Sequence, residues 1–476
     1  MQPMDSNKAN GDPAGSPRPA RLAWRGRQRA RAIGPAAAAL AAAGLLGGCG
    51  AAQLASEQAP RQPASKAPAA STAAAHSASA AGGMHTTSDG PSSSASPSTA
   101  NCTSTGTSVT ADRPSADSGA APSLQAIQFV DASHGWAAGN GRIMATSDGG
   151  HSWTRQYAGP AALYQVDFTD AAHGWAVGKD ALLRTADGGA TWTAAAEPAH
   201  SASQPGGQCQ GIDTVHFVSP SVGYAVAGGT SGGGAPVLGS LSGPVTGGHL
   251  LRTTDGGQTW QQPAGAPANP ESACFTSASN GYLGTPGVVW HTGDGGQTWT
   301  KSFTEPPAVR AEPGAIGDTP NVQCAGQNAA WVLFVGQGAA MMHSPYLAYA
   351  TKDGASWRGV MEEPMLESSL RPKLHLAEGP GSEPGPFSAI SPDAAAFAGY
   401  TPPANGWGAA PLSLAGNGGG TLSDSGNVDA INQPLAASFR STNQGWVVGE
   451  NLKTNTFAIE ATTDGGHTWA TQYTTR

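Results

Sequence analysis

The chain has 476 residues, of which only 12% are charged, with 67 Gly, 37 Pro, 13 Trp and a formal net charge of −8. So much glycine and tryptophan with so few charges speaks against helical bundles and for short strands joined by tight turns. The acidic balance argues against nucleic acid, or an anionic lipid surface, as the main partner.

The first elements in chain order form an export signal. Arg18, Arg21, Arg25, Arg27, Arg29 and Arg31 make a basic region, and an apolar run follows over 33–46. At about 14 residues the run is too short to cross a bilayer comfortably and suits a signal peptide. It ends in Leu46-Gly47-Gly48-Cys49, which resembles the bacterial lipobox. That resemblance implies cleavage before Cys49, acylation there, and an extracytoplasmic protein anchored by lipid to the bacterial membrane. Several acyl chains together anchor stably where one would be marginal. A plain signal peptide, or an anchor helix with a chance cysteine, is the alternative, and the long basic region leaves Met4 as an alternative start. Removal of residues 1–48 takes away 7 of the 24 basic and 2 of the 32 acidic side chains. The mature chain then carries 17 against 30, a formal net charge of −13.

Residues 49–123 are Ala, Ser, Pro, Thr, Gln and Gly with almost no large apolar side chain. Such a segment cannot bury enough surface to offset its ordering entropy and reads as a disordered tether. As a flexible coil it would reach roughly 45–50 Å root-mean-square.

Internal repeats dominate the remainder. One motif recurs six times: Thr146 to Trp153 around Asp148, Thr185 to Trp192 around Asp187, Thr253 to Trp260 around Asp255, Thr292 to Trp299 around Asp294, Thr351 to Trp357 around Asp353, and Thr462 to Trp469 around Asp464. Asp-Gly between apolar runs is a strong hairpin signal because the turn needs positive φ. The Asp carboxylate can accept backbone N–H groups of its own turn, so these acids read as turn-formers and not as catalytic groups. A second motif precedes each copy: Phe129…Gly135-Trp136, Phe168…Gly174-Trp175, Phe217…Gly223-Tyr224, Phe275…Gly281-Tyr282, Cys324…Ala330-Trp331 and Phe439…Gly445-Trp446.

The pattern Ser/Thr-x-Asp-x-Gly-x-x-Trp resembles the Asp-box, or bacterial neuraminidase repeat. Coupled to the upstream Phe…Gly-Trp, it looks most like the photosystem II stability and assembly factor family. The resemblance implies an all-β fold over 124–476: a seven-bladed β-propeller of four-stranded antiparallel blades. The Asp-to-Asp spacings of 39, 68, 39, 59 and 111 leave room for a degenerate unit at about 386–430. The blades then fall near 124–158, 162–196, 212–263, 270–303, 320–360, 386–430 and 434–476, with six or eight blades as the alternative.

In such blades the Asp-boxes line one face. The insertions at 230–248, 304–319, 336–345 and 361–386 fall on the other, where variable loops on a rigid scaffold usually bind. The candidate binding residues there are Arg310, Glu312, His343, Tyr346, Arg371 and Lys373. Met341, Met342 and His343 form a soft cluster too small to imply a metal, and no cofactor is called for. Of the five cysteines, Cys49 is assigned to lipid. The repeat frame puts Cys274 and Cys324 on facing sides of successive blades, leaving Cys102 with Cys209, in keeping with an oxidising compartment.

These readings point to a non-catalytic, membrane-anchored binding or assembly scaffold with a protein client. A propeller binding cell-surface carbohydrate is the alternative, with Trp407 and Tyr346 as candidate aromatics. A sialidase-like or other glycoside hydrolase is a weaker one, because the Arg-Ile-Pro motif of sialidases is missing and adjacent Glu362 and Glu363 would point apart.

Overall fold

The computed structural model describes residues 123–178, 181–195, 211–228, 248–306, 319–336, 344–363, 374–401 and 408–475. The export signal, Cys49 and nearly all of the tether lie outside the described residues.

The described chain is all-β, and its strands form six sheets. The first holds β1 (Ala126–Phe129), β2 (Gly135–Thr146), β3 (Thr154–Phe168), β4 (Gly174–Gly178), β5 (Ala181–Thr185) and β6 (Thr193–Ala194). The second holds β7 (Ile212–Phe217), β8 (Gly223–Ala227) and β9 (His249–Thr253). The third holds β10 (Ser272–Phe275), β11 (Gly281–Thr285), β12 (Val288–Thr292) and β13 (Thr300–Thr304). The fourth holds β14 (Thr319–Gly326), β15 (Ala329–Val335), β16 (Tyr346–Thr351), β17 (Trp357–Glu362) and a short parallel addition, β18 (Ala377–Glu378). The fifth holds β19 (Glu383–Ser391), β20 (Ala394–Tyr400), β21 (Ala410–Gly416) and β22 (Thr421–Val428). The sixth holds β23 (Gln433–Phe439), β24 (Gly445–Asn451), β25 (Thr456–Thr462) and β26 (Ala470–Thr474). Inner strands of successive units touch in order, and β23 returns to β1, which closes a β-propeller.

The propeller is six-bladed, which corrects the expectation of seven separate four-stranded blades. The difference lies in the first sheet, where two sequence repeats share one strand. β3 pairs with β2 through its first half and with β4 through its second. The residues around Pro160 sit in a bulge opposite Asn140 and Arg142, so its missing N–H breaks no ladder bond. β2 likewise serves two partners and bends at Gly141, φ 67°.

The start of the second strand of each unit is fully buried, as in the Gly-Trp-Ala-Val-Gly of β4, because neighbouring units cover both its faces. The Phe…Gly-Trp motif explains how they pack. Phe168 lies across its own Gly174, where an added Cβ would meet the ring at 2.3 Å. Its other face stacks on Trp136 of the preceding repeat, with centroids 3.6 Å apart and planes at 9°. Trp192 closes the pocket edge-on at 5.9 Å and 85°. The same triplet recurs as Phe217 with Trp175 and Trp260, and as Phe275 with Tyr224 and Trp299. Where Cys324 replaces Phe, its paired residue is Ala330, and in β19 and β20 the pair is Ala389 with Ala395. A methyl group is admitted only where the large ring is gone.

Five of the Thr-x-Asp turns repeat one hydrogen-bond pattern, and the Asp353 turn, one residue shorter, closes through Gly354, Ala355 and Ser356 N–H groups. Thr462 Oγ1 donates to Asp464 Oδ1 at 2.9 Å and accepts Gly466 N–H at 2.8 Å. Asp464 accepts the N–H and hydroxyl of Thr468 at 2.9 and 2.6 Å. Gly465 and Gly466 hold φ of 78° and 93°, which an L side chain rarely adopts. The hydroxyl and N–H of Thr468 hold Asp464 at a pKa of about 2, those of Thr298 do the same for Asp294, and the Ser356 and Ala355 N–H groups do so for Asp353. Asp148 is lowered further by Ser152. These folded values lie below an unfolded value near 4. Their stabilisation is therefore complete above about pH 4 and is lost as pH falls through about 2. Melting temperatures measured at pH 4, 3 and 2 should fall steadily; a flat profile would remove these turns from the stability account.

The sixth sheet is built wholly from the last repeat, so no strand from the start of the described chain completes it. The seam is held instead by side chains. Phe129 N donates to Ser438 Oγ at 3.0 Å, Phe129 stacks on Trp446 at 3.5 Å, and Trp446 and Gln472 both donate to Gly149 O.

Candidate functional site

The innermost strand of every unit presents an unpaired backbone edge to the central axis, and such an edge needs partners. The residue immediately before each inner-strand Phe position supplies them. Gln128 Oε1 accepts Phe168 N–H at 2.6 Å, and Asp167 Oδ2 accepts Phe217 N–H at 2.6 Å. His216 Nε2 meets Phe275 O at 2.7 Å. Gln323 bonds both Phe387 O and Ala389 N, and Ser388 accepts Phe439 N–H at 3.0 Å. With Ser438 at the seam these bonds run around the channel. At the one remaining junction the link is covalent, a disulfide between Cys274 and Cys324 with Cα atoms 5.5 Å apart. A second tier begins above, where Gln165 bonds Val215 and Ser272 bonds Pro320 and Val322.

These strands enclose a channel cavity of about 450 Å³. Asp167 and Asp213 supply carboxylates to its wall, His216 an imidazole, and neither lysine nor arginine contributes among the described residues. Burial pushes the Asp167 carboxyl up, against the opposing pull of His216, whose Nδ1 lies 3.9 Å away, and of the Phe217 N–H. A folded pKa above the unfolded one means that stability is greatest below about pH 4 and is lost as pH rises through the folded value. Asp167→Asn keeps an acceptor for Phe217 N–H and removes the buried charge. It should gain about 1–2 kcal/mol at pH 7, with the gain vanishing near pH 3.5. Urea unfolding of both proteins at the two pH values checks this, and a loss at pH 7 would show that the ionised acid contributes net stability.

The loop residues singled out from sequence are placed differently. Arg310, Glu312, His343, Arg371 and Lys373 lie outside the described residues, as do Cys102 and Cys209. Tyr346, expected on a binding loop, is corrected: it opens β16, is 1% exposed, and donates its hydroxyl to Gly381 O at 2.8 Å. Its apolar ring fills the core between sheets while the hydroxyl finds a carbonyl, as a buried tyrosine must. The six turn aspartates and their tryptophans are brought together only within their own turns. Among the described residues no group of three or more His, Cys, Asp or Glu has the geometry to hold a metal ion. The channel itself was missed at the level of sequence. Its signal was the polar residue, or at one junction the cysteine, before each inner-strand Phe position, where a simple core strand would be apolar.

Fold and channel together define a β-propeller whose axis is lined by inter-repeat hydrogen bonds. No protein-family model matches the sequence, and no curated protein does. Among solved structures the chain is similar to YCF48 bound to D1 peptide, at 17% identity over 68% of this chain and 88% of that one, TM-score 0.43. It is similar to YCF48 from Cyanidioschyzon merolae at 15% identity over 72% and 93%, TM-score 0.43. It is also similar to the GH74 xyloglucanase from Xanthomonas campestris at 14% identity, TM-score 0.46, over 74% of this chain and about half of that longer enzyme, 54%.

Proposed function

We propose that this chain is a non-catalytic binding scaffold, exported, anchored through lipid on Cys49, and engaging a protein client through the loops opposite the Thr-x-Asp turns. The observation that carries the reading is the use made of the inner strands. Gln128, Asp167, His216, Gln323, Ser388 and Ser438 are committed to holding repeats together, so the ring acts as a frame. Recognition then belongs to variable segments mounted on a rigid support. The Cys274–Cys324 disulfide suits an oxidising compartment outside the cytoplasm. The Asp-box and assembly-factor resemblance of the repeats is in keeping with a role in assembling a membrane protein.

The test is chemical cross-linking of the full chain in its native membrane, followed by mass spectrometry. A discrete protein adduct mapping to 304–319 or 361–386 is the expected result, and Cys49→Ala should move the protein out of the membrane fraction. Reducing ends released from a β-glucan by the purified protein, with no protein adduct, would overturn the scaffold in favour of a glycoside hydrolase.

A further inference from the structure

The channel contains polar groups that the frame does not use. Gln125, just ahead of β1, and Thr214, Asn321 and Gln433, on β7, β14 and β23, line the same cavity and are half-buried. Their side chains make no hydrogen bond to another described residue, in contrast to Gln128 and Gln323 further along two of the same strands and to Gln165 on β3. Each inner strand runs toward the face of the Thr-x-Asp turns. These residues sit early in their strands, so they gather toward the opposite mouth. Tyr400, paired across from Glu383 at the start of β19, joins them there. The other side of the same wall is apolar, with Pro386, Pro434 and Leu435.

Three uncommitted carboxamides and a hydroxyl both donate and accept, which matches a ligand whose groups do the same. The cavity lies within the range that holds small molecules, and a few placed polar groups over an apolar ledge are the usual build of such a site. An anionic ligand is opposed by Asp167 and Asp213 with no lysine or arginine on the described wall. A cationic one gains little, because Asp167 is committed to Phe217 N–H and Asp213 is also engaged. A purely apolar ligand would strip water from the amides without replacing its hydrogen bonds.

We infer that the channel mouth opposite the Thr-x-Asp turns is a binding site for a neutral mono- or disaccharide, held by Gln125, Thr214, Asn321 and Gln433 against the proline–leucine wall. Vicinal hydroxyls pair with the carboxamides, and the C–H face of the sugar lies on the apolar side. The site opens on the same side of the ring as the client loops but is lined by inner-strand residues, so its failure would leave the protein-client reading standing, and the converse holds.

Isothermal titration of the full chain with glucose, galactose, xylose, N-acetylglucosamine and cellobiose tests this, with glucuronate and putrescine as charged probes. At least one neutral sugar should bind saturably. Asn321→Leu and Gln433→Leu should each weaken it tenfold or more with the melting temperature unchanged. Thr214→Val provides a milder variant should either leucine disturb folding. The inference is overturned if no neutral sugar binds at millimolar concentration, if the channel variants bind as tightly as the parent, or if putrescine binds while the sugars do not.

Discussion

Phe168→Ala is expected to lower the free energy of unfolding by about 3–5 kcal/mol, the range for deleting a buried aromatic ring. The ring is 4% exposed and sandwiched between Gly174, Trp136 and Trp192, so its loss opens a cavity between repeats that rigid strands cannot close. Gly174→Ala alone should also be costly, because its new methyl group would meet the Phe168 ring at 2.3 Å. The double variant Phe168→Ala/Gly174→Ala should be less damaged than the sum of the singles, since the methyl group then occupies vacated space. The protein already contains this combination as Ala389 opposite Ala395, and a near relative of it as Cys324 opposite Ala330. Urea unfolding of all four proteins gives the coupling energy. A coupling of zero would mean that glycine stands there for backbone reasons and not for the ring.

The second large effect concerns the covalent junction. Cys274→Ser with Cys324→Ser opens a loop whose ends are 50 residues apart. In the chain-entropy account, closing a loop of that length in the unfolded state contributes about 4 kcal/mol. Either single serine variant should lose nearly as much as the double, because each abolishes the same bond. Oxidised and reduced parent protein, compared by urea unfolding, should reproduce the difference. Equal stability of the two forms would show that the hydrogen bonds flanking the junction, from Ser272 to Pro320 and Val322, already close the ring.

How much of this was legible in the sequence depended on distance along the chain. β4 and β5 were readable as Gly174–Gly178 and Ala181–Thr185, because a short turn and a local apolar run define them. The degenerate repeat was readable as a gap in the spacing and as a match of residues 390–399 to the Phe…Gly-Trp frame. In the structure it becomes β19 to β22, with Asn417 and Gly418–Gly419 at positive φ in place of the Asp turn. The blade count was not readable. Whether the strand starting at Thr154 stops near Ala158 or runs on to Phe168 depends on a bulge at Pro160 that β2 stabilises from outside the segment. Tyr346 failed for a related reason: a tyrosine beside a proline and a serine looks like loop, and only packing against Gly379 and Gly381 buries it.

By itself the sequence determined the β class, the repeat unit, the turns and their aspartates, since each depends on interactions within about eight residues and on φ values that only certain residues adopt. It also carried the facing of Cys274 and Cys324, because strand alternation places both once the repeat register is known. The tertiary structure alone decided the six-sheet arrangement, the seam between Ser438 and Phe129, and the channel with its committed and uncommitted polar groups. Those features join residues as much as 309 positions apart. No local propensity encodes such a contact; it exists only when the ring has closed and each exposed strand edge has met the side chain that satisfies it.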